Sequence, residues 1–184
     1  MKNNRSDTAG LAEKSYFRAP TKARRLPRAV ADTKNGVIIA VADLAGTPEQ
    51  VFNALTTSEV EQWWKYPGQY HQKDWKSEVM ALGPWSVAVE LNDGNVVHAW
   101  GEFCEISFPN KLVMTRRFGA HPFQGERETI ITYYFDPTPG GTFVTMRDEG
   151  FIGRSEAAFG NAEIWERVLG WLDAYLARKN SFKY

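Results

Sequence analysis

Residues 155–176, SEAAFGNAEIWERVLGWLDAYL, carry a helical repeat broad enough to decide the architecture. Ile164, Trp165, Val168, Leu169, Trp171, Leu172, Tyr175 and Leu176 fall, at about 100° per residue, within an arc of roughly 160°. Glu163, Glu166, Arg167, Gly170 and Asp173 take the opposite side. Ser155 reads as an N-cap with Glu156 in the first turn, and Arg178 and Lys179 suit the negative end of the helix dipole. A stripe with two tryptophans and a tyrosine is too apolar to lie on water, so something large and concave must cover it. The residues before it read as strands. The expected fold is therefore α+β: a curved antiparallel sheet of about seven strands around one long C-terminal helix.

Bulk properties agree with a single domain carrying an appendage, since 184 residues can bury a full core. Aromatic residues make up 14 % of the chain, with seven tryptophans. Each aromatic buries about 150–250 Å², which calls for a large core or an aromatic-walled cavity. The formal net charge is zero, so there is no general pull toward nucleic acid or membrane. Cys104 is the only cysteine, which excludes an internal disulfide and points to a reducing compartment. The opening MKNNRSDTAG has no apolar core, and no run approaches the ~18 apolar residues of a membrane span. A soluble cytoplasmic protein is the expectation.

Residues 1–34 differ in composition from residues 35–184. Nine basic residues there face three acidic ones, a net of +6, which leaves −6 on the remainder. Pro20 and Pro27 interrupt any long helix. Three readings stand: a flexible or strap-like extension, a basic arm for an anionic partner, or a segment folding against a second copy in a homodimer.

From Val37 the chain is better patterned. Val37–Leu44 (VIIAVADL) reads as a strand, and Thr47-Pro48-Glu49-Gln50 announces a helix, with Thr47 as N-cap and Gln50 at the capping-box position. A second short helix is expected over residues 58–64, capped by Ser58 and closing on Trp63-Trp64. Residues 65–74, KYPGQYHQKD, read as a polar loop. Further strands are expected at 75–80, 85–91, 95–107, 111–118, 127–136 and 142–149, with Asn92-Asp93-Gly94-Asn95 as a hairpin turn.

The run from Asp43 to Trp64, a strand followed by Ala-x-Thr-Pro-Glu-x-Val-Phe-x-Ala-Leu-Thr and a short helix closing on Trp-Trp, resembles the START-like (SRPBCC) superfamily. More narrowly it is similar to the branch named after the activator of the heat-shock-protein-90 ATPase. Trp100-Gly101-Glu102-Phe103, Pro109 to Thr115, Gly141-Thr142 and Glu149-Gly150-Phe151 extend the resemblance over residues 37–177. It implies the helix-grip (Bet v 1-like) fold, with two short helices after the first strand and a cavity between long helix and sheet. It leaves the function open, because such relatives range from lipid carriers to cyclases.

Motifs for chemistry are sparse. His71, His98 and His121 have no helical metal-ligand spacing and no neighbouring cysteine, so neither a metal nor a cofactor is expected. Cys104, placed by alternation beside Trp100 and Ile106, reads as a buried small hydrophobe. There is no nucleophile elbow, phosphate loop or dinucleotide fingerprint.

The family pattern turns Trp85, Val87, Val89, His98, Trp100, Leu112, Met114, Arg116, Ile131, Tyr133, Phe135, Val144, Met146 and Asp148 toward the helix. Phe135, Val144, Leu172 and Leu176 would be solid core. Cavity-lining candidates are Trp64, Trp85, Val87, His98, Trp100, Met114, Arg116, Phe118, Tyr133, Met146, Asp148, Phe151, Trp165 and Leu169. Arg116 stands where relatives usually carry an aromatic. It is either exposed at a strand end, paired internally with Asp148 or Glu102, or an anchor for a ligand. The leading expectation is a noncatalytic binder of a small hydrophobic or aromatic molecule. The alternatives are a lyase, cyclase or hydrolase using His98, Arg116 or Asp148, and a chaperone-associated interaction module.

Overall fold

A computed structural model describes residues 24–119 and 127–181. The basic segment before residue 24 and most of the loop with His121 lie outside the described residues. The elements are β1 (Arg28–Asp32), β2 (Val37–Leu44), α1 (Pro48–Thr56), α2 (Val60–Trp63), β3 (Lys65–Tyr66), β4 (Tyr70–Ser77), β5 (Pro84–Leu91), β6 (Val96–Ser107), β7 (Lys111–Phe118), β8 (Thr129–Thr138), β9 (Gly141–Glu149) and α3 (Ser155–Ser181).

All the strands pair antiparallel in one sheet of order β1-β2-β9-β8-β7-β6-β5-β4-β3. From β3 to β9 the chain is a meander, and β2 closes against the last strand, with Val37 opposite Glu149 and Leu44 opposite Thr142. The sheet is two strands larger than expected. Arg28–Asp32 pairs with β2 although composition assigned it to the extension. Its Ala29 and Ala31 pack on the core while Arg28, Val30 and Asp32 face solvent, a period-two pattern hidden in a basic stretch. The expected polar loop is the β3–β4 hairpin, which moves the next strand to Tyr70–Ser77.

The helices follow their local signals unevenly. Thr47 accepts from the Gln50 backbone while the Gln50 side chain accepts from the Thr47 N–H, the complete reciprocal cap of α1. Val51, Phe52 and Leu55 form its buried face. By contrast α2 starts at Val60 rather than Ser58, and no side chain caps it. In α3 the stripe lies against the sheet: Trp165, Val168, Leu169, Leu172, Tyr175 and Leu176 are buried, with Ile164 and Trp171 at its edges. At about 1.5–3 kcal/mol for each fully buried large apolar side chain, this face is the principal tie between helix and sheet.

Two bulges set the inner face of the sheet. Asp74 takes φ = 57°, and the β4–β5 register shifts between Lys73 and Lys76. Gln72 and Trp75, three residues apart, thus both turn inward. On β6 the register shifts between Phe103 and Glu105, where Phe103 opposes Met114 and Glu105 opposes Val113. The extra residue is Cys104, which is exposed. Counting back from Ile106 in steps of two crosses that bulge and arrives on the wrong face. Val97, Ala99 and Phe103 point inward, and His98 and Trp100, expected inside, point outward.

Candidate functional site

Two small adjoining cavities, of about 50 Å³ and about 100 Å³, lie between α3, the two short helices and the inner face of β4–β8. Trp64, Gln72, Val89, Arg116 and Phe118 line both. The smaller adds Leu55 and Val60 from the short helices, Trp75, Trp85, Val87, Ala99, Met114, Ile131 and Tyr133 from the sheet, and Trp165 from α3. The larger opens beside Tyr70, Leu91, Val97, Asn161 and Ile164.

The aromatic walls are held in place by hydrogen bonds as well as packing. Trp75 and Trp85 stack with centroids 5.4 Å apart. Trp75 Nε1 donates to the Thr56 carbonyl at 3.2 Å, and Trp85 Nε1 donates to the Thr115 carbonyl at 3.0 Å. Gly101, opposite Trp85 on β6, leaves the room this needs: a Cβ there would stand 2.0 Å from Thr115 O and 2.8 Å from Trp85 Nε1. Trp165 meets Trp64 and Tyr133 edge to face, at 5.7 and 6.1 Å between centroids. Such pairs contribute about 0.5–1.5 kcal/mol beyond area burial, enough to hold ring orientation. The Tyr133 hydroxyl stays protonated, because burial pushes its pKa up.

Polar groups in this space are few. Arg116 is buried and donates from Nη2 to Asp148 Oδ2 at 2.6 Å. The guanidinium carbon sits 5.2 Å from the Phe118 ring centroid and 5.4 Å from that of Trp165. Asp148 also accepts from Trp165 Nε1 at 2.9 Å. Burial pushes the Asp148 carboxyl above the ordinary aspartate range, with the Arg116 charge and the Trp165 N–H working against the rise. Among the described residues Arg116 Nε and Gln72 Oε1 are buried without a hydrogen-bond partner.

The expected lining residues therefore divide. Trp64, Trp85, Val87, Met114, Arg116, Phe118, Tyr133 and Trp165 do line the space. Met146, Phe151 and Leu169 are fully packed core away from it, and Asp148 sits behind it, tied to Arg116. His98 is exposed. Trp100 borders an open groove of about 850 Å³ on the outer face, with Glu78, Glu102, Arg117 and Glu128. A shared catalytic use of His98, Arg116 and Asp148 thus loses its geometry, since only Arg116 faces the void. Sequence reasoning missed Gln72, Trp75 and Ala99. The only trace of the first two was an aromatic three residues after a glutamine, which no alternating strand would place on one face. Among the described residues no three His, Cys, Asp or Glu side chains are placed to hold a metal, and no helix is long and apolar enough to cross a membrane.

Residues 45–177 match the sequence profile of the family described as Activator of Hsp90 ATPase homolog 1-like protein. No functionally curated protein matches the chain. Among solved structures, a Rhodobacter sphaeroides protein superposes with a TM-score of 0.69 at 19 % identity, covering 84 % of this chain and 99 % of its own. The solution structure of an Arthrobacter aurescens protein gives 0.69 at 18 % identity over 82 % and 91 %. The AHSA1 protein of Silicibacter pomeroyi gives 0.66 at 19 % identity over 78 % and 99 %. At these identities the likeness establishes the helix-grip fold.

Proposed function

Because the chain belongs to the family of Activator of Hsp90 ATPase homolog 1-like proteins, we propose that it uses the space between α3 and the sheet to bind a small hydrophobic or aromatic molecule. The observation that carries this reading is an apolar, aromatic-walled void at the grip of a sheet whose other inward residues are fully packed. Close-packed interiors leave few voids larger than a water molecule. A dry cavity of about 150 Å³ is known to accept a benzene-sized guest. Burying roughly 200 Å² of such a guest gives a gross ~5 kcal/mol before association costs, which sets the expected affinity at about millimolar or weaker.

The test is a titration with benzene and indole followed by backbone amide resonances. Saturable shifts centred on Val87, Met114 and Ile131 are expected. Val87→Phe, which fills the smaller cavity, is expected to abolish them while the protein stays folded. Absence of saturable shifts at millimolar benzene and indole in the unmodified protein defeats the reading.

A further inference from the structure

Taking the binding cavity as its premise, we infer that the ring of Tyr70 is the gate through which a guest enters and leaves it, with Trp171 as the latch. Tyr70 and Leu91 stand opposite each other in register, at the start of β4 and the end of β5. Both line the larger cavity, and both also line an open groove of about 680 Å³ beside Pro67, Gln69 and Asn92. They are therefore the partition between solvent and the interior void. Tyr70 is half-buried, as a side chain standing between the two should be. A rotamer change at this one residue joins groove and cavity without breaking a strand pair.

What holds the ring shut comes from the helix. The Trp171 centroid lies 6.4 Å from that of Tyr70, edge to face, and 5.7 Å from that of Tyr66. Tyr66, opposite Tyr70 in the β3–β4 hairpin, meets it edge to face at 6.3 Å. The Arg167 guanidinium carbon sits 5.6 Å from the Tyr66 ring centroid. Among the described residues no hydrogen bond or ion pair joins this hairpin to α3, so the ring contacts are the closure. The hairpin's own pairing is slight: β3 is two residues long, and a Cβ on Gly68 at the tip would meet nothing within 4 Å. The other flank of α3 is built differently. Glu166 accepts from the Ala29 N–H at 3.2 Å and Asp173 from the Ala45 N–H at 2.9 Å, directed bonds that fix the helix to β1 and to the end of β2. Ring contacts give way to a side-chain rotation where such bonds do not, which puts the opening on the Tyr70 side.

The experiment follows benzene exchange in the full chain by amide relaxation dispersion at Val87, Met114 and Ile131. Trp171 lines neither cavity, so Trp171→Ala removes the latch and leaves the guest's own contacts in place. Association and dissociation rates are expected to rise together by about tenfold, the effect of losing one or two ring contacts, while Kd stays within about twofold. Tyr66→Leu, a smaller change, is expected to raise both rates by about threefold. Glu166→Ala, on the opposite flank, is expected to change neither. Three results overturn the gate and leave the cavity reading intact: unchanged rates in the folded Trp171 and Tyr66 variants, an equal rise in Glu166→Ala, or faster dissociation matched by an equal loss of affinity. Failure of benzene to bind the unmodified protein overturns both.

Discussion

Arg116 on β7 and Asp148 on β9 reach each other across the intervening strand β8, with Nη2 and Oδ2 2.6 Å apart and both side chains removed from water. Arg116 is registered against Thr129 and Asp148 against Ile131, so the bond runs diagonally over the inner face of β8. Removing one partner of such a pair strands a buried charge and costs about 3–5 kcal/mol, whereas replacing both with apolar residues of similar volume is close to neutral. Asp148→Ala is therefore expected to be strongly destabilised in urea denaturation. Arg116→Met with Asp148→Leu is expected to recover most of the loss. Equal destabilisation of the single and double variants contradicts this account of the pair.

The same pair gives the protein a pH dependence whose sign follows from burial. Asp148 titrates above its ordinary value of 3.8 in the folded chain. Between the unfolded and folded values the native state holds the extra proton. Its stabilising contribution is therefore complete below the unfolded pKa and is lost as pH rises through the folded one. Exposed carboxylates behave oppositely: Glu90 beside Lys73 and Glu105 beside Lys111 are held low and lose their contribution toward acid. Those groups are common to wild type and the Arg116→Met, Asp148→Leu variant, so the difference between the two isolates Asp148. Urea midpoints from pH 4 upward are expected to show wild type losing ground to the variant as pH rises. The reverse slope would mean that Arg116 outweighs desolvation.

The bulge on β6 makes a prediction about Cys104. An unbroken strand would turn this residue inward with Ile106, but the register shift leaves it exposed. Partial burial still raises the thiol pKa. Cys104 is expected to react to completion with a disulfide reagent in the absence of denaturant, with a rate profile displaced to higher pH than that of a free thiol. Labelling only after unfolding would restore the unbroken alternation.

That single residue also explains which parts of the site were legible in the chain. The α3 stripe, the Thr47–Gln50 cap and the apolar alternation of β5, β7 and β9 are local signals, and each appears in the structure where it was read. They were enough for the helix-grip and for eight of the cavity residues. What failed was parity. Cys104 and Asp74 each insert one residue into a strand, and a period-two argument cannot survive an insertion it does not see. Alternation thereby places His98 and Trp100 inside, while composition reads Gln72 as loop and Trp75 as the first residue of a strand. β1 was obscured for a different reason: its short alternation sits between charged residues whose role is tertiary.

Those tertiary contacts give the last prediction. Arg24 pairs with Asp173 on α3, and its Nη2 also donates to the Asp43 carbonyl at 2.8 Å. Arg25 lies 3.8 Å above the Phe143 ring, and its backbone N–H donates to Asp43 Oδ2 at 2.6 Å. The strap thus ties β2, β9 and α3 from outside. Its two ends differ in energy. Arg24 is 42 % exposed, and an exposed pair of this kind contributes about 0–1 kcal/mol. Asp173 Oδ1 additionally accepts the Ala45 backbone N–H at 2.9 Å, a half-buried donor just after β2. Leaving that donor unpaired costs about 1–3 kcal/mol. Asp173→Ala is therefore expected to destabilise the protein clearly more than Arg24→Ala, with the gap persisting in high salt because a backbone hydrogen bond is not screened as an exposed ion pair is. Equal losses that vanish together in high salt would reduce the strap to a surface ion pair.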